Sequence, residues 1–349
     1  MTDVVMPLSD IIDQSRTLIV LGAGGVGKTS LSAALALQGA MRGRKVLCLT
    51  IDPAKRLANS MGLDALSDSP CLISEALLTK HGLSCQGELY AMILDKKQTF
   101  DDLIRKYTSD PDKLARIFNN RLYQYIANSL AGTQEYMAME KLYAIQQEGD
   151  YDLVVVDTPP SSEVFGFLDA PDILIDAIDS PATRWLIQAL GRSGSFSFGL
   201  VSKGAATVLK GLSWLTGAEF MSEISEFITE LNALFGGFRQ RAMRVRETLR
   251  EWHVSYLVVT STSPPALVEL DATLGELKER QLSVNAVVFN RVQPNPGSCP
   301  ELTDADLVTL FPAYEHSTTL LSKMKQAYQE EQIRAMNDRT LIEQFRRQE

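Results

Sequence analysis

The chain has 349 residues, 45% hydrophobic and 22% charged, enough for a large core, and reads as one big α/β domain or one domain with an insertion. A net charge of −9 argues against non-specific binding of nucleic acid or anionic membrane by the surface as a whole. Four cysteines without a C-x-x-C pair and only three histidines give no zinc pattern, no run of about 18 apolar residues predicts a membrane span, and no signal pattern opens the chain; the expected setting is cytoplasmic, with reduced thiols.

The first predicted element is an apolar strand at 17–21. It leads into Gly22-Ala23-Gly24-Gly25-Val26-Gly27-Lys28-Thr29-Ser30, and a helix-favouring run, 31–41, follows. The run fits G-x-x-x-x-G-K-[ST] in the strand–loop–helix context that a phosphate-binding loop requires. Glycines let the backbone curl so that successive N–H groups point at phosphate oxygens, and the helix N-terminus adds partial positive charge. Gly24, Gly25, Val26, Gly27, Lys28, Thr29 and Ser30 would then hold a nucleoside triphosphate. Lys28 would reach the β- and γ-phosphates, and the Thr29 hydroxyl would hold Mg²⁺. Gly22, Gly24 and Gly27 also satisfy G-x-G-x-x-G, and Asp52 sits where a ribose-binding acid would. Lys28-Thr29 decides between the two, because a dinucleotide site calls for neither a cation nor a hydroxyl on the first helical turn.

Further strands are predicted at 45–51, 89–94, 151–156, 254–260 and 284–289. They are apolar and mostly not alternating, as expected when both faces of a sheet are covered. With helices between them they predict an α/β, doubly wound, mostly parallel sheet that binds its ligand at the carboxyl ends of the strands. Asp52-Pro53-Ala54 ends the second strand, where a carboxylate can orient or deprotonate an attacking water or simply cap a helix. Lys55 and Arg56 read as surface groups or as groups behind the site. Leu153 to Asp157 is a strand ending in a carboxylate, placed to orient a Mg²⁺-bound water, and Thr158-Pro159-Pro160 is a turn suited to a nucleotide-sensing switch.

Two intervals, about 99–148 and 171–250, are too long for crossovers and read as a helical subdomain inserted in a single domain spanning 1–349. Asp110-Pro111 starts one helix and Gly132 breaks another. The Gly-, Ser- and Lys-rich stretch 191–211 reads as a mobile loop. Beyond it Phe220, Met221, Ile224, Phe227, Ile228, Leu231, Leu234 and Phe235 recur at three and four. That stripe either packs on the domain or forms a groove for an apolar partner. Asn290 ends the last predicted strand. Its amide matches the adenine edge, and a turn-forming Asn is the alternative.

GAGGVGKTS, TIDPAKRLANSMGL (50–63), LAGTQEYMAMEKLY (130–143), VVVDTPPSSEVFGFLDAP (154–171) and VVFNRV (287–292) occur in that order. In this set the chain resembles the arsenite-pump/tail-anchored-protein-targeting ATPase family over nearly its whole length, and looks closest to a bacterial branch. The family lies within the deviant-Walker class that includes partitioning and division-site ATPases. The resemblance implies ATP and Mg²⁺ as ligands, with Asp52 and Lys28 catalytic. Thr29 and Asp157 serve the metal, Asp157 through water, and Asn290 reads adenine. It implies dimers that close over ATP, and an apolar groove for a client's transmembrane segment within 171–250.

Four departures accompany it. Ala23 stands where the family usually has a Lys reaching across the dimer, which implies slow hydrolysis or a heterodimer with a paralogue that carries the Lys. The zinc C-x-x-C of targeting homodimers is absent. No cysteines match the metalloid site, which disfavours an anion or metalloid pump. The chain ends in a charged helical tail where the family has a further strand and helix, implying a less enclosed adenine site or a shortened chain. The tail also mixes both charge signs with sparse apolar positions, so no nucleic-acid partner is expected.

Overall fold

In β1 (Thr17–Gly22), Leu18 and Val20 face one side of the sheet and Ile19 and Leu21 the other, and all four are fully buried. Burial on both faces is why this run carries no polar alternation. The same holds for β2 (Lys45–Thr50), β5 (Leu153–Asp157) and β6 (Val254–Thr260). The computed structural model describes residues 7–52, 56–121, 123, 124, 127, 133–181, 183, 218–297 and 318–348.

Among these residues the sheet has seven strands in the order β3-β4-β2-β5-β1-β6-β7, with β3 spanning Cys71–Leu72, β4 Glu88–Ile93 and β7 Val284–Phe289. All six predicted strands are present, with ends displaced by no more than two residues. The seventh, β3 (Cys71–Leu72), is a two-residue exposed edge that pairs antiparallel with β4, and it carries no apolar run to betray it. All other pairings are parallel. The order places β5 between β1 and β2. The carboxyl ends of β2 and β5 therefore flank the loop that follows β1 on one side, and β6 and β7 flank it on the other.

On one face of the sheet, α1 (Leu8–Gln14), α2 (Lys28–Met41), α3 (Arg56–Ser60) and α4 (Glu75–Lys80) pack around Leu18, Val20, Val46, Cys48 and Val155. The other face is covered by residues of α7 (Thr133–Glu148), α8 (Ser161–Asp179), α9 (Ala218–Thr248) and α10 (Pro264–Glu279). Outside them, α5 (Lys96–Tyr107) and α6 (Pro111–Asn119) complete a helical layer with a core of its own. Asp110 caps α6 through the N–H groups of Asp112 and Lys113, as the Asp-Pro signal predicts. The last helix, α11 (Thr318–Gln348), packs its Phe345 ring on Phe289 of β7, 5.4 Å between centroids. No helix among the described residues is long and apolar enough to cross a membrane.

One expectation needs correction. Pro171 does not open a helical interval. It lies inside α8, which begins ten residues earlier at Ser161. A proline inside a helix costs a hydrogen bond, and here the burial of Phe167, Leu168 and Ala170 around it holds the helix together. The apolar stripe, left open between packing and a groove, is packed at its described positions. Phe227 and Leu234 are core residues of the helical layer, with Phe100, Ile104, Tyr123 and Met137, and Phe235 packs against the same cluster. A side chain as large as Phe227 contributes about 2 kcal/mol by such burial, which makes it structural. Phe220, Met221, Ile224, Ile228 and Leu231 lie on α9, but their side chains fall outside the described residues, as do Gly132 and the stretch 191–211.

Candidate active site

The chain leaves β1 at Gly22, where φ is +142° and a Cβ would lie 2.1 Å from the Val259 carbonyl oxygen. No other residue fits so close to a neighbouring strand. The loop re-enters helix at Gly27, the N-cap of α2, with φ +103°. Gly27 brings no capping side chain, and no acidic residue occupies the first turn of α2. The N–H groups at this helix end are thus left for an anion.

Lys28 is buried, and its Nζ donates to the carbonyl oxygens of Gly22 and Ala23, both at 2.9 Å. An ammonium has three donors, so two shape the loop and one remains for a ligand. Burial pulls Lys28 below its ordinary pKa, while the nearby Asp157 carboxylate pushes it back up.

Asp157 ends β5, beside Thr50 of β2 and Val20 of β1 in register. Its Oδ2 accepts from the hydroxyls of Thr29 at 2.9 Å and Thr50 at 3.1 Å. Its Oδ1 is buried with no hydrogen-bond partner. One buried carboxylate beside one hydroxyl is an all-oxygen donor set, which fits Mg²⁺ when phosphate and water supply the remaining ligands. Among the described residues no three His, Cys, Asp or Glu side chains gather to hold a metal by themselves, so a cation here needs those phosphate oxygens. Thr50 escaped the sequence reading. It sits two residues before Asp52 in an apolar strand, and only the β2–β5 register brings it to Asp157.

Asp52 follows β2, and its Oδ2 lies 3.0 Å from Nη1 of the exposed Arg56 at the start of α3. Arg56, expected at the surface or behind the site, is paired with the candidate water-positioning acid. Residues 53–55, including Lys55, lie outside the described residues. Asn290 stands on the other side of the loop. Its backbone N–H donates to Thr260 O at 2.8 Å, and its Nδ2 donates to Val26 O at 2.8 Å. Lys28, Thr29 and Asp157 therefore meet at one end of the sheet, with Asp52 two residues beyond Thr50 and Asn290 touching the loop from β7. Gly24 and Gly25 face open space, and Val26 is buried beneath them.

Burial pushes the Asp157 carboxyl above the usual carboxylate range, against the opposing pull of the Thr29 and Thr50 hydroxyls and the Lys28 charge. A folded-state pKa raised above the unfolded value means that the ionised group opposes folding, and that its contribution is lost as pH rises through the folded value. Asp157→Asn should therefore raise the melting temperature of the nucleotide-free protein at neutral pH. Mg-ATP should stabilise the wild type by mass action and not the variant. Thermal unfolding with and without Mg-ATP checks both; a lower melting temperature for the nucleotide-free variant contradicts the electrostatic argument.

A family model described as Anion-transporting ATPase matches residues 15–308. The protein named ATPase GET3 of Podospora anserina is 26% identical over 302 residues, covering 85% of this chain and 80% of its own length. That named ATPase get3 of Aspergillus terreus is 26% identical over 296 residues, covering 83% and 78%, and that of Malassezia globosa is 24% identical over 294 residues, covering 83% and 78%. None of these matches bears out a bacterial branch.

Proposed function

The chain belongs to the anion-transporting ATPase family and is an ATPase, and from this we propose that it couples Mg-ATP binding and slow hydrolysis to the closing and opening of a dimer that handles a partner. The observation that carries the reading is the Thr29–Asp157–Thr50 node, which ties the first turn after the phosphate loop to the ends of two neighbouring strands. A ligand that takes over the Thr29 hydroxyl must change what Asp157 holds, and residues 158–160 follow directly. That is the layout of a switch.

In this proposal Gly24, Gly25, Val26, Gly27 and Ser30 line the phosphates and Lys28 neutralises their charge. Thr29 and Asp157 would hold Mg²⁺, Asp157 through water. The ion, when bound, would offset charge on the phosphate oxygens. Asp52 positions the attacking water, and Arg56 holds its carboxylate in place between turnovers. Asn290 stands on the adenine side. Ala23 is buried and brings no cation, which fits a slow homodimer or, as a second reading, a heterodimer whose paralogue supplies the missing Lys. The helical residues within 171–250 are the place for an apolar client segment, with Phe227 and Leu234 reserved for the core, and the cytoplasm is the proposed setting. A metalloid pump is disfavoured.

Asp52→Asn tests the reading. A positioned general base contributes typically about 10²–10⁴-fold. The variant should bind Mg-ATP as the wild type does, hydrolyse it at least about 10²-fold more slowly, and accumulate as a closed dimer in sedimentation runs with ATP. Undiminished turnover removes Asp52 from the mechanism. A monomer with and without ATP removes the dimer switch.

A further inference from the structure

We propose that Asn290 is a positioning residue for the phosphate loop: its side-chain amide braces the loop backbone at Val26 and Gly27, so that the grip on phosphate depends on it whatever base the nucleotide carries. The proposal rests on reading Gly22–Ser30 as the phosphate site and adds a role to the one that resemblance assigns to Asn290.

Two contacts define the brace. Asn290 Nδ2 donates to Val26 O at 2.8 Å across 264 positions of sequence. The same nitrogen lies only 2.3 Å from where a Cβ on Gly27 would stand. The amide therefore fills the space that a side chain at Gly27 would take, and Gly27 holds φ +103° beside it. A loop whose N–H groups converge on an anion must turn carbonyls the other way. The Val26 carbonyl points at Asn290. Without the amide it would sit beside a buried side chain with its main partner gone, and the loop would pay for that by relaxing towards conformations in which its N–H groups no longer converge.

The brace itself is held from both sides. The Asn290 N–H bonds Thr260 O at 2.8 Å and extends the β6–β7 ladder by one residue. Arg291, at φ +57°, then turns the chain away. Before it, Phe289 packs on Phe345 of α11; after it, the Gln293 N–H donates to Asp338 Oδ2 of α11 at 2.8 Å. An amide group has two N–H donors and one carbonyl acceptor. Holding Val26 leaves one donor and the acceptor for a base, so bracing and base reading are separable by experiment.

Calorimetric titration with Mg-ATP, Mg-GTP and Mg-tripolyphosphate, which has no base, separates them on wild type, Asn290→Ala, Asn290→Asp and Lys28→Ala. Asn290→Ala should weaken all three ligands by a common factor of about five to ten. Asn290→Asp should weaken them further, because it sets a carboxylate oxygen against the Val26 carbonyl. In nucleotide-free protein, amide hydrogen exchange over residues 24–28 should speed up in both variants. Unchanged tripolyphosphate affinity and unchanged loop exchange, with loss of preference for ATP over GTP, would make Asn290 a base reader and overturn the brace. Lys28→Ala keeps the two failures apart. If it binds tripolyphosphate as the wild type does, the phosphate-loop reading has failed. If it loses tripolyphosphate while Asn290→Ala does not, only the brace has failed. Should Asn290→Ala not fold, the near-isosteric Asn290→Asp carries the same comparison.

Discussion

Lys28→Ala should lower the rate of ATP hydrolysis by about 10²–10³-fold, in line with the loss of one preorganised charge-stabilising donor from a water-poor site. Two effects combine. The ammonium that would face the β- and γ-phosphates is gone, and the carbonyls of Gly22 and Ala23 lose the donor 2.9 Å away that closes the loop. Both kcat/KM and nucleotide affinity should fall, since the same side chain shapes the loop and would meet the ligand. Lys28→Arg should not restore activity. A planar guanidinium cannot replace a compact ammonium in a buried position whose two carbonyl partners belong to adjacent residues. Steady-state hydrolysis at saturating Mg-ATP, with affinity measured separately, checks this. A variant with wild-type turnover would remove the phosphate loop from the catalytic site.

Glu140→Ala should destabilise the fold by about 3–5 kcal/mol, the range for breaking a buried ion pair by removing one partner. Glu140 of α7 and Arg241 of α9 are both nearly inaccessible, with side-chain exposures of 5% and 7%. Arg241 Nε donates to both Glu140 oxygens, at 2.9 and 3.0 Å, and Nη2 lies 2.7 Å from Oε1. The guanidinium also stacks 4.2 Å over the Tyr143 ring. Burial pulls the Arg241 pKa down, but the hydrogen bond to Glu140 and the attraction of its charge together outweigh that and hold it above the ordinary value. Remove Glu140 and a cation remains buried in the helical layer without its carboxylate. The apolar double variant Glu140→Leu/Arg241→Met should recover most of the loss, because it removes both charges and keeps the volume. Denaturant unfolding of the three proteins gives the comparison; a double variant as unstable as Glu140→Ala would mean that the pair contributes net stability of its own.

The strands were legible because each is an uninterrupted apolar run, and burial on both faces of a parallel sheet demands just that. β3 was not, being two exposed residues paired at an edge. The start of α8 at Ser161 was not legible, because the burial of Phe167 and Ala170 that holds the helix through Pro171 comes from elements distant in sequence. The stripe through Phe227 had the right period but no address. Periodicity says that one face of α9 is apolar, and only the neighbouring helices say that Phe227 and Leu234 are shut inside their own layer.

The loop at 22–30 was legible from the sequence alone because its geometry is local: glycines at Gly22 and Gly27 permit backbone angles that other residues avoid, and Lys28 and Thr29 follow on the next turn. The candidate acids at Asp52 and Asp157 followed from their places at strand ends. Tertiary structure alone decided what those groups touch. Thr50 reaches Asp157 across 107 positions, Arg241 reaches Glu140 across 101, and Asn290 reaches Val26 across 264. A strand order that sets β5 between β1 and β2, and β7 beyond β6, brings the first and last of these pairs within hydrogen-bonding reach, the packing of α7 against α9 does the same for the second, and no local pattern of residues encodes either arrangement.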